Sequence, residues 1–265
     1  MKKIMSFFLA ILMILSSMLM IACSGDRDND DDNNVKINVK SEIKAATNKM
    51  NTVNSCSGTS KLEISVKAQG VTLTTELDYQ IKFADLQTAI PKRYADVKVT
   101  APGQSQTGCI YTEGEWDYCV VGNEKYKSRV EENKDKECDE YSDSVYENAT
   151  VRKTDKGTSI NMSFTPQQFK EYFAGMYETI AEMFALEGME SYVTISDASL
   201  KVVIGKNGYV IEEAIGFKIT VSDGTESVIL EISNKGTYKS FNEPVTITPP
   251  QGYLSFTEKM DGDII

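Results

Sequence analysis

The chain has 265 residues, of which 28 are Lys or Arg and 39 are Asp or Glu, for a formal net charge of −11. A hydrophobic content of 41% is enough for a substantial core, and the acidic excess argues against nucleic acid as a partner, since phosphate backbones need a basic footprint. There is no histidine, which removes Ser-His-Asp triads, histidine general bases and histidine-containing zinc sites; no catalytic residue, metal or cofactor is expected, and the chain is not expected to be an enzyme.

Lys2 and Lys3 precede an apolar run over residues 4–22 that only Ser6, Ser16 and Ser17 interrupt. This is the pattern of a signal peptide; the alternative is an uncleaved anchor, because about 19 apolar residues can just span a bilayer. The run ends Leu19-Met20-Ile21-Ala22-Cys23 and continues Ser24-Gly25. It resembles the bacterial lipobox, with Met20 where that pattern usually has Leu. The resemblance implies cleavage after residue 22, acylation of Cys23, and a location on the extracytoplasmic face of the cell membrane. Two acyl chains anchor a protein stably where one does so only marginally. Loss of Lys2 and Lys3 would leave 26 basic against 39 acidic side chains, a net −13. Such a body is repelled by anionic headgroups, so the acyl chains and not surface charge would hold it at the bilayer.

Residues 24–34 contain no apolar side chain and cannot fold alone. A calcium loop would need Gly at its sixth and Glu at its twelfth position. Counting from Asp26 gives Asp31 and Ile37, and counting from Asp28 gives Asn33 and Val39, so both registers fail. Residues 23–40 therefore read as the lipidated cysteine and an acidic tether, 41–253 as one domain, and 254–265 as a tail.

Within the domain, Ser41 is placed to cap a helix over 42–54, with Ile43, Ala46, Met50 and Val53 on one face. The period then becomes two. Leu62, Ile64, Val66 and Ala68 alternate with polar residues, and beyond Gly70 so do Val71, Leu73, Leu77, Tyr79, Ile81 and Phe83. Gly122-Asn123, Asn207-Gly208 and Asp223-Gly224 mark tight hairpins between strand-like runs. Thr165-Pro166-Gln167-Gln168 reads as a capping box with Pro at the first helical position. It opens a helix over 166–187 whose stripe is Phe169, Phe173, Met176, Ile180, Met183 and Phe184. The plain reading is a helix packed on a sheet; the functional one is that this soft, Met-rich and aromatic face also lines an apolar ligand cavity.

With Cys23 acylated, four cysteines remain, an even number favouring disulfides outside the cytoplasm. A hairpin centred on Gly114 places Cys109 opposite Cys119, close enough to bridge with a small shift, which leaves Cys56 for Cys138; Cys119 with Cys138 is the rival pairing. The Asn148-Ala-Thr and Asn161-Met-Ser triplets match the glycosylation pattern by chance in a bacterial lipoprotein.

The order of lipobox, acidic tether, short helix, long amphipathic strands, Pro-capped helix, further strands and a Thr248-Pro249-Pro250 close resembles the LolA/LppX-like bacterial lipoprotein superfamily. The resemblance covers residues 41–253 and includes small clostridial-type members. It implies an α+β fold, mostly antiparallel: a strongly curved sheet or half-open barrel with two main helices on its concave face, around a cavity for a lipid or other apolar ligand. The alternative is a structural or interaction lipoprotein with a filled core, which would meet an envelope protein through aromatics such as Trp116 and Tyr118.

Overall fold

Runs of thirteen residues that alternate apolar and polar side chains are ribbons with one dry and one wet side, and tight turns join them antiparallel. The computed structural model describes residues 38–130, 142–173, 177, 192–222 and 225–259. Its strands are β1 (Cys56–Ala68), β2 (Val71–Ala84), β3 (Lys92–Ala101), β4 (Gln104–Glu113), β5 (Trp116–Val121), β6 (Glu124–Arg129), β7 (Thr150–Lys153), β8 (Gly157–Ser163), β9 (Val193–Gly205), β10 (Val210–Ser222), β11 (Ser227–Lys239) and β12 (Thr257–Glu258). Its helices are α1 (Val39–Met50), α2 (Asp143–Glu147) and α3 (Pro166–Tyr172).

All twelve strands belong to one sheet, ordered β12-β6-β5-β4-β3-β2-β1-β11-β10-β9-β8-β7. Two meanders, β1–β6 and β7–β11, meet where β1 pairs with β11, and the sheet is curved and unclosed. The pairing is antiparallel except for β12, which lies parallel to β6. The fold therefore runs beyond residue 253: Phe256 is buried, and Thr257 pairs with Tyr126.

The period-two reading sets the register. Leu62 lies opposite Leu77, Ile64 opposite Ile232, and Ile232 opposite Phe217. Leu62, Ile64, Leu77, Tyr79, Val97, Ile160, Met162, Leu200, Phe217, Ile219 and Leu230 then form one buried face across seven strands. The reverse of the β3–β5 region carries a second cluster, Tyr111 and Tyr118 covered by Phe256 and Tyr253.

Three expectations change. The first helix starts earlier, because Asn38 and not Ser41 is its cap: the Asn38 side chain accepts a hydrogen bond from the Ser41 amide at 3.1 Å. In the Gly114 hairpin Glu113 pairs with Trp116, so two residues turn the chain and the register moves by one. Cys109 then faces Val120, Cys119 faces Ile110, and the two sulfurs lie on opposite sides of the sheet. Among the described residues Cys56, Cys109 and Cys119 are not joined to one another, so the Cys109–Cys119 bridge is not formed; the Cys56–Cys138 and Cys119–Cys138 pairings involve Cys138, which lies outside the described residues. Tyr118, expected as an exposed partner-binding aromatic, is buried with Tyr253 edge-on at 4.8 Å.

Candidate functional site

The apolar face of the sheet is the candidate site, and the helices lie on it. The α3 box is present in both directions: the Gln168 amide donates to Thr165 Oγ1 at 3.3 Å, and the Thr165 amide donates to Gln168 Oε1 at 2.9 Å. This cap and Pro166 fix where the helix begins. Phe169 then falls inward, fully buried, with its ring 4.6 Å from Phe217 and 5.2 Å from Phe173. Phe164, at the end of β8, meets Phe173 edge-on at 5.1 Å. Of the six residues read as a ligand-facing stripe, Phe169 and Phe173 are thus in the core; Met176, Ile180, Met183 and Phe184 lie outside the described residues. Tyr177 is helical, its amide bonded to the Phe173 carbonyl at 2.9 Å.

The helices hold one another. Tyr172 Oη meets the Ser142 amide at 2.6 Å, and Gln168 Nε2 reaches Ser144 Oγ at 3.0 Å, tying α3 to α2. Lys40 pairs with Asp143 at 3.1 Å, tying α1 to α2, an exposed contact of little energetic weight. Val39, Ala46 and Val145 bury the undersides of α1 and α2 in the same core as the sheet.

Polar groups interrupt this face at a few points. Thr112, Asp117 and Ser128 stand opposite one another on β4, β5 and β6, with Arg93 on β3 beside Thr112. Thr112 donates to the buried Asp117. Burial raises the Asp117 carboxyl above its ordinary range, against the opposing pull of the Thr112 hydrogen bond and the Arg93 charge. Tyr79 Oη and Ser128 Oγ are buried without a hydrogen-bond partner among the described residues. Glu213 stands opposite Val202 and Gly236, and burial pushes its carboxyl up to about 7. The Thr112–Asp117–Ser128 row escapes a sequence reading because its face depends on the hairpin register. Glu213 had a signal: it falls in phase with Ile215, Phe217 and Ile219.

Among the described residues no group of three His, Cys, Asp or Glu side chains is placed to hold a metal ion, and no helix is long and apolar enough to cross a membrane.

No family model matches the sequence, and no curated protein does. Among solved structures the chain is similar to LprF from Mycobacterium bovis, at 10% identity over 81% of this chain and 97% of that one, with a TM-score of 0.41. It is also similar to a DUF1329 family protein from Desulfovibrio piger, at 10% identity over 80% and 95%, with a TM-score of 0.26.

Proposed function

We propose that the chain is a non-catalytic lipoprotein, anchored at the extracytoplasmic face of the cell membrane through acylated Cys23, that binds a lipid or other apolar ligand between the sheet and its helices. The observation that carries the reading is the apolar face itself. It spans neighbouring strands from β3 through β2, β1, β11, β10 and β9 to β8, interrupted by few polar groups, in a sheet that does not close on itself, and has helices on it. Enclosing an acyl chain against such a surface contributes about 25 cal/mol per Å² and needs no reactive group. The hydroxyls of Tyr79 and Ser128, buried without partners among the described residues, support a ligand that brings a hydrogen-bonding group to an otherwise apolar surface. The Leu19–Cys23 sequence supports the anchor, and the uncharged acyl chains offset a body of net charge −13.

The test is extraction. The exported protein, purified with its anchor, is treated with organic solvent and the released lipid is identified by mass spectrometry. The expected result is non-covalent lipid in near-stoichiometric amount, together with a diacylated N-terminal cysteine. A preparation that releases no lipid, and takes up none from labelled phospholipid vesicles, overturns the ligand; an unmodified Cys23 overturns the anchor.

A further inference from the structure

One end of the sheet leaves the apolar face open to solvent. Val71, Ala68, Val228, Val221 and Val193 are paired neighbours across β2, β1, β11, β10 and β9. Leu73, Val66, Leu230, Ile219 and Ile195 form the row behind them. Leu230, Ile219 and Ile195 are buried, whereas Val71, Leu73 and Val228 are 59%, 55% and 41% exposed. Tyr192, just before Val193, is also exposed. The dry interior therefore continues outward into an exposed apolar corner, and a patch of this kind marks a contact surface.

Two of the turns at this corner lack charge. Residues 68–75 form the β1–β2 turn and its flanks, and residues 99–110 the β3–β4 turn and its flanks. Neither stretch holds a charged side chain, in a chain that is 25% charged. Glu76 pairs with Thr100, so the two tips sit side by side. Charges border these stretches: Glu76 follows Thr75, Lys98 precedes Val99, Asp223 and Glu226 stand in sequence between Val221 and Val228, Lys67 pairs with Glu231 at 2.7 Å, and Glu226 lies beside Gln69. The tips carry Val, Leu, Ala, Thr, Ser and Gln, with no Arg, Tyr or Trp, the side chains that anchor protein interfaces.

We propose that this corner is where the body meets the bilayer. The tips at 68–75 and 99–110 lie among the headgroups, and Val71, Leu73 and Val228 rest against the acyl chains. The proposal rests on the reading of the chain as a membrane-anchored binder of apolar ligands, and gives its cavity an entrance facing the lipid. The attachment of the tether fits. The C-terminal end of α1 packs through Met50 and Val53 on Cys56 and Phe83, at the opposite strand ends, so the tether leaves from the other end of the helix. The helix spans about 18 Å, and fourteen residues separate Cys23 from Asn38 in the sequence. With a net charge of −13 in the exported chain, anionic lipid would repel the body, so the contact is apolar and suits a neutral surface.

Trp116, the only tryptophan, begins β5 at the strand ends remote from Val71 and serves as an internal control. The exported, acylated protein is reconstituted in phosphatidylcholine vesicles with brominated acyl chains, as wild type, Val71→Trp and Leu73→Trp. Both positions are exposed, so neither substitution disturbs the core. The emission added by Trp at 71 or 73 is expected to fall at least about twofold on bromination, as for a side chain 5–10 Å into the headgroup boundary, while Trp116 emission is unchanged. Added emission that stays unquenched in protein sedimenting with the vesicles overturns the proposal. So does a blue shift without vesicles that grows with protein concentration, the sign that a second copy covers the corner. Quenching in protein that releases no lipid on extraction leaves the membrane contact standing and removes the ligand.

Discussion

The Phe169 ring of α3 sits 4.6 Å from the Phe217 ring of β10, and this pair pins the helix layer to the sheet. Phe169 has no solvent exposure and also meets Phe173 at 5.2 Å. Truncating a phenylalanine in such a place removes its burial and leaves a hole, at a cost of about 3–5 kcal/mol. Phe169→Ala is expected to lower the unfolding free energy by that amount in urea titration. A loss below about 1 kcal/mol would show that the ring borders space already open, since packed core positions lose more.

The thiols make a second prediction. Cys109 is half-buried on the same side as Tyr94, whereas Cys119 is buried against Tyr126 and Ile110 on the other side of the sheet. Burial pushes the Cys56 thiol up to about 11 and raises Cys119 further. A thiolate-seeking reagent at mildly alkaline pH is therefore expected to modify Cys109 before Cys56 and Cys119, which react only as fast as the protein opens. Peptide mapping of the labelled protein checks the order. A peptide pair joined through Cys109 and Cys119 in the unreduced protein would contradict the register.

These cysteines also mark how far the sequence was legible. The alternation of Leu62, Ile64 and Val66 with Lys61, Glu63 and Ser65 is a local property, and it correctly separates the two faces of β1. The capping box at Thr165 is local too, and places Phe169 and Phe173 inward. Register is different. A turn of two residues at Gly114 in place of three moves the pairing by one, and with a period of two this sends Cys109 and Cys119 to opposite faces. The same step decides that Thr112, Asp117 and Ser128 share the apolar side. Pairing of β1 with β11, or of β12 with β6, joins segments more than a hundred residues apart and leaves no mark in either. Whether a hollow remains beneath the helices depends on summed side-chain volumes from many strands, which periodicity does not encode.

Tyr238 crosses the sheet at two glycines. A Cβ on Gly236 would stand 2.8 Å from the Tyr238 hydroxyl oxygen, and one on Gly58 would stand 3.2 Å from its ring. The glycines make room for the aromatic side chain, so Gly236→Ala is expected to destabilise by about 1–3 kcal/mol through overpacking. Because the nearest atom is the hydroxyl, Tyr238→Phe should recover part of that loss in the double variant. A thermodynamic cycle measured by thermal unfolding isolates the coupling; additive effects would place the strain elsewhere.

Glu213 predicts a pH dependence. Burial among apolar residues keeps its carboxyl protonated up to about pH 7, against 4.5 for the same group in an unfolded chain. Between those values the unfolded chain has released a proton that the folded chain retains. The stability that this group contributes is therefore complete below about pH 4.5, declines as pH rises toward 7, and is gone above it. The full span is on the order of 3 kcal/mol at about 1.4 kcal/mol per unit, an upper bound for a group that is not wholly sealed from water. Glu213→Gln cannot ionise. It should resemble the wild type near pH 5 and exceed it in unfolding free energy by about 1–3 kcal/mol at pH 8. Parallel curves for the two proteins from pH 5 to 8 would mean that Glu213 is already charged in the fold, paired or hydrated by something the strand register alone does not place beside it.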